Sequence, residues 1–189
     1  MIQILEFKDR YLEQAVKLFC AAYDQERKQS PLLPQHPFDR EQRLKHNISE
    51  LANRGGWVAI DNNDLVGYLL NGYRFTFKKR PAAMVPEIGH AVITPGKQEI
   101  YNLLYTAAAE KWAKDRVSLH LFGLLAHDRV LCDTIFELGF GFILTEGLRD
   151  LSLLEDVRGT ADHIILVLFH YLNRLFKGIV ETPAFYSKL

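Results

Sequence analysis

One amphipathic helix set between two apolar runs constrains this chain more than anything else in it. From Glu99 to Arg116, the residues Ile100, Leu103, Leu104, Ala107, Ala108 and Trp112 recur at helical spacing. That gives the segment an apolar face that has to be covered. Met84 to Ile93 before it and Ser118 to Leu125 after it read as strands, the second with a buried-strand pattern. A helix between strands points to a layered domain in which helices cover a sheet.

The rest of the chain extends this reading. Ile2 to Phe7 alternates as a short strand, and Leu12, Ala15, Val16, Phe19 and Tyr23 place a helix over Arg10 to Gln25. Ser30 to Pro37 holds three prolines and reads as a loop. Asp39 is the expected N-cap of a second helix ending near Arg54-Gly55-Gly56. Trp57 to Ile60, the turn Asn62-Asn63-Asp64 and Leu65 to Phe75 form a hairpin signal. A short helix over Asp128 to Leu138 stops at Gly139. Phe140 to Leu144 and Leu148 to Leu153 read as extended, and a last helix spans Ala161 to Val180. The order is β-α-α-β-β-β-α-β-α-β and one extra helix, an α+β or mixed α/β class.

Composition removes several function classes. Lys+Arg and Asp+Glu both number 23, so phosphate attraction gives no general drive toward nucleic acid. Cys20 and Cys132 form no disulfide or metal pattern and read as buried thiols. The first residues lack an uninterrupted apolar stretch, and no apolar run approaches a membrane span, so the expectation is a cytoplasmic protein. There is no P-loop, Rossmann glycine fingerprint, Gly-x-Ser-x-Gly, HExxH or EF-hand loop, and no convergent metal ligands.

The stretch GLLAHDRVLCDTIFELGF over residues 123–140 and the preceding VPEIGHAVITPGKQEIYNLLYTAAAEKWAKD resemble the GNAT acyltransferase superfamily. More narrowly, they resemble the N-terminal halves of bacterial proteins with two GNAT domains in tandem. The resemblance implies a GNAT-like domain over 1–153, a mostly antiparallel twisted sheet flanked by helices. Residues 154–189 would be a helical extension similar to the start of a second such domain. The apolar helix 161–180 would then contact that domain or a second copy of the chain. The implied chemistry is direct transfer of an acetyl group from acetyl-CoA to a small amine, with the cofactor entering where the strands after Met84 and Ser118 splay.

Such chemistry needs N–H donors at a helix N-terminus for the pyrophosphate, a base for the amine and an acid for the thiolate. The resemblance puts the cofactor on Val92, Ile93, Gly96, Lys97, Gln98 and Ile100. Gln98 and Ile100 stand where the family has small residues, and the β-branched Ile100 is expected to obstruct the phosphate. Ile135 stands where the family often has an acidic Tyr. His127 and Glu87 are the candidate catalytic residues. Asp128 reads first as an N-cap. Glu87, Gly89 and Ala91 are expected to share one strand face and Ile88, His90 and Val92 the other, which separates Glu87 from His90. His90 reads as a core histidine, Tyr68, Tyr73, Phe75 and Phe77 as sheet packing, and Lys78-Lys79-Arg80 as a solvated turn. The loop Gln29 to Phe38 lies where the family builds acceptor specificity. Two readings follow. One is a GNAT-type N-acetyltransferase. The other is a catalytically degraded module with a structural, ligand-sensing or dimerising role.

Overall fold

The computed structural model describes residues 1–35, 41–93 and 95–145. The elements in chain order are β1 (Gln3–Glu6), α1 (Leu12–Gln29), α2 (Glu41–Ala52), β2 (Gly56–Asp61), β3 (Asp64–Leu70), β4 (Tyr73–Phe77), β5 (Arg80–Val85), β6 (His90–Val92), α3 (Lys97–Lys114), β7 (Leu119–Phe122) and α4 (Arg129–Glu137). The expected Asp39 cap, the extended segment 148–153 and the helix 161–180 lie outside the described residues. Phe140 to Leu144 belongs to no regular element.

Four strands form one sheet in the order β1-β2-β3-β6, and three form another in the order β4-β5-β7. Every pairing is antiparallel except β5 with β7, which run parallel. The two sheets are halves of one long hairpin. Two strands read from the sequence as continuous are each broken in its middle. The first breaks at Asn71-Gly72 between β3 and β4. The second breaks at Pro86 and the 3-10 turn Glu87–Gly89, between β5 and β6. Gly72 has φ +66°, and a Cβ there would stand 2.1 Å from the Met84 carbonyl oxygen. No other residue fits that approach. Tyr68 donates to the Ile88 carbonyl at 2.8 Å and holds the opposing turn in place. Asn62-Asn63 and Lys78-Lys79, all with positive φ, close the β2–β3 and β4–β5 hairpins.

Alternation along the strands makes two cores. Val58, Ile60, Tyr68, Leu70 and Ala91 face α1 and α2, joining Val16, Phe19, Leu44 and Ile48. Ala59, Leu69 and Val92 face the other side, joining Ile100, Leu104, Ala108, Trp112, Leu131 and Ile135. The sheet is thus the middle of three layers, as the long amphipathic helix demanded. Cys132 is buried, whereas Cys20 is half-buried, a correction to the reading of both as buried. Among the described residues no helix is long and apolar enough to cross a membrane.

Candidate active site at the parting of two strands

The last parallel pair is Val85 with Phe122, and the Gly123 N–H still donates to the Val85 carbonyl at 2.8 Å. Beyond it the strands part. Pro86 and the turn carry one chain away to pair with β3, and the other runs on through Gly123 to α4. A wedge therefore opens between β6 and the segment after β7. The N-termini of α3 and α4 are linked across its end.

His90 spans this wedge. Its Nε2 lies 2.9 Å from the Gly123 carbonyl oxygen and its Nδ1 lies 3.0 Å from the Tyr101 hydroxyl of α3. A carbonyl only accepts, so Nε2 carries the proton and Tyr101 donates to Nδ1. Burial pushes the His90 pKa down to about 4, against the opposing pull of the Gly123 bond, so the ring is neutral at pH 7. Burial also raises Tyr101 well above the usual phenol value, despite a Val92 backbone bond that favours its ionised form. His90 is the satisfied core histidine that its apolar neighbours suggested.

Glu87 is exposed, and it reaches the same place. A Cβ on Gly123 would stand 3.0 Å from the Glu87 nitrogen and 3.1 Å from its Oε2. The expected separation of Glu87 from His90 is therefore wrong. The 3-10 turn breaks the two-residue pleat, and both residues converge on Gly123. The expected faces fail for the same reason, since Ile88 and Ala91 join one core and Val92 the other. Beside Glu87, the Arg54 guanidinium lies 5.0 Å from the Tyr73 ring centre. Tyr73 is raised by burial, with Arg54 opposing and Glu87 and Glu50 adding to the rise.

At the start of α3, Gly96 holds φ +83° as the N-cap, and a Cβ there would meet nothing within 4 Å among the described residues. The Ile100 N–H donates to the Gly96 carbonyl, leaving the first-turn N–H groups of Lys97, Gln98 and Glu99 without partners inside the helix. Ile100 is not the expected obstruction. It is 1% exposed and packs inward with Val92, away from those donors. Val92 is likewise buried, and Ile93 is half-buried. Lys97 pairs with Asp128 at 2.6 Å, with side chains 14% and 20% exposed, and Gln98 bonds Glu137 of α4. Asp128 is the expected N-cap, accepting from the Leu131 N–H at 3.1 Å. Ile135, 4% exposed, supplies core and no proton.

His127 lies on the far wall, held by a residue the sequence did not single out. Glu26, the seventh position after Phe19 on α1 and 6% exposed, accepts from the His127 backbone N–H at 3.0 Å and lies 2.6 Å from its Nδ1. Glu26 occupies an inward helical position beside Tyr23, a polar residue on an apolar face. That is the one signal that would have found it.

Three features come together here: a split pair of strands, a helix N-terminus at the split, and polar side chains beside it. Solved structures share the overall fold. A metagenomic aminoglycoside acetyltransferase from uncultured soil bears 18% identity and a TM-score of 0.55, covering 80% of this chain and 97% of that one. The fold is that of the GNAT acetyltransferases. A predicted acetyltransferase from Clostridium acetobutylicum, solved with acetyl-CoA, shares this GNAT fold at a TM-score of 0.57 and 12% identity, over 80% of this chain and 97% of that one. The ribosomal-protein-alanine N-acetyltransferase of Brucella melitensis biovar Abortus 2308 does so at 0.55 and 13%, over 79% and 99%. No family model and no curated protein matches the sequence. Among the described residues no group of three or more His, Cys, Asp and Glu is placed to hold a metal.

Proposed function

We propose that this protein is an acetyl-CoA-dependent N-acetyltransferase acting on a small amine. The observation that carries the reading is the wedge beyond Val85 and Phe122, with the N-terminus of α3 at its end. GNAT-fold structures solved with acetyl-CoA or CoA support it. The diphosphate would take the first-turn N–H groups of α3, where the helix dipole favours an anion. Lys97 would exchange Asp128 for phosphate oxygens. Glu87 and Glu50 beside Tyr73, with Arg54 opposing them, would offer carboxylates to an incoming ammonium. The amine nitrogen attacks the thioester carbonyl carbon, the C–N bond forms, the C–S bond breaks, and coenzyme A leaves as its thiol.

Calorimetry of acetyl-CoA with the full chain tests the reading. A micromolar dissociation constant, about −8 kcal/mol, is expected. No heat and no thermal shift at millimolar acetyl-CoA would sink it.

A further inference from the structure

Glu26 is a buried carboxylate whose two oxygens serve a single residue. Oε2 accepts from the His127 backbone N–H at 3.0 Å, and Oε1 lies 2.6 Å from the His127 ring at Nδ1. A carboxylate only accepts, so Nδ1 carries the ring proton. The Ser30 hydroxyl lies 3.4 Å from the same nitrogen, a longer second contact. The lone pair is therefore on Nε2, which makes no hydrogen bond among the described residues. The His127 side chain is 41% exposed while that of Glu26 is 6% exposed. An exposed imidazole oriented by a buried acid is how a protein holds a histidine ready to take a proton.

Placement supports that use. Three residues lead from Gly123, in the wedge, to His127. Leu125 among them packs against the α1 core. The next residue, Asp128, takes Lys97 at the head of α3. His127 thus lies between the end of α1 and the proposed cofactor seat, against the loop that begins at Ser30. The charged groups around it are Glu26 from α1, Asp128 with its partner Lys97 from α3, and Arg129 at the start of α4.

We propose that His127 is the general base of this site and Glu26 its positioning residue. This rests on the acetyltransferase reading. His127 Nε2 takes one proton from the attacking amine as the C–N bond forms. That proton is passed on as the thiolate leaves, so the products are the acetamide and the free thiol.

Nitrogen-15 NMR of the full chain reads the dyad with no acceptor present. The expected result is a protonated Nδ1 and a bare Nε2 on the neutral His127 ring, with the tautomer ratio shifted toward a protonated Nε2 in Glu26→Gln. A bare Nδ1 in wild type, or a tautomer ratio unmoved by Glu26→Gln, overturns the pairing. Thiol release from acetyl-CoA with spermidine as the amine probe then tests the base. His127→Gln is expected to lower kcat ~100-fold or more and to abolish the acidic limb of the pH profile, with acetyl-CoA affinity within twofold of wild type. Glu26→Gln is expected to lower kcat by about tenfold, and Glu26→Asp to recover part of it. A wild-type chain that binds no acetyl-CoA sinks the acetyltransferase reading itself. A chain that binds and transfers with His127→Gln unimpaired sinks the base alone.

Discussion

Two histidines border the same opening, and their surroundings give them opposite characters. His90, 4% exposed, has both ring nitrogens occupied and a pKa pushed down to about 4 by burial. His127 stands half in solvent with one nitrogen tied to a buried carboxylate. The wall holding His90 is made of β3, β6 and α3, where strand pairing and an apolar helix exclude water. The wall holding His127 is a short connection after β7, fastened by three polar contacts: the His127 N–H to Glu26, and Asp128 accepting from Lys97 and from the Leu131 N–H. One wall is built for rigidity and the other for access.

The change expected to break the first wall most severely is Gly72→Ala. It forces a Cβ onto a carbonyl 2.1 Å away at φ +66°, and should cost more than about 3 kcal/mol in urea unfolding. His90→Ala comes next. It strands the Tyr101 hydroxyl and the Gly123 carbonyl in the interior, for a loss of about 2–4 kcal/mol. Acid titration sharpens the same point. The folded pKa of about 4 lies below the usual imidazole value of 6.5, so the unfolded chain binds this proton more readily. Stability from this group is complete above pH 6.5 and is withdrawn as pH falls toward 4, by about 3 kcal/mol in all. That slope should be missing from His90→Gln; its persistence there would assign it elsewhere.

Changes on the second wall should be gentler. Asp128→Ala removes the α4 cap and the partner of Lys97, for a loss of about 1–2 kcal/mol. Asp128→Asn keeps the cap and should lose less, which thermal melts of the pair would show. His127→Ala should cost about 1 kcal/mol or less, since its ring is 41% exposed. If His127→Ala proved as damaging as His90→Ala, the contrast between the walls would fail.

Local chemistry wrote much of this into the sequence. The periodicity of Ile100, Leu104, Ala108 and Trp112 fixed a helix whose apolar face must be covered, and the strand patterns on either side of it made a sheet the cover. Asp128 as a cap, Gly139 as a stop, the Asn62-Asn63 turn and the inert Ile135 were equally legible, since each depends on its immediate neighbours. The head of α3 was legible in place, but the direction of its side chains was not. Ile100 looked obstructive until the helix was seen to turn it inward.

What only the tertiary structure decided are the relations between distant segments. An alternating pattern gives no notice of the turn at Glu87–Gly89. Tyr68, nearly twenty residues earlier, holds that turn, and the turn brings Glu87 and His90 to the same glycine. Glu26 and His127 are 101 positions apart and meet because the end of α1 packs beside the segment after β7. Spacing along a chain reports helix faces and strand faces. It does not report which face of one element meets which loop of another, because that depends on how the whole sheet twists and parts.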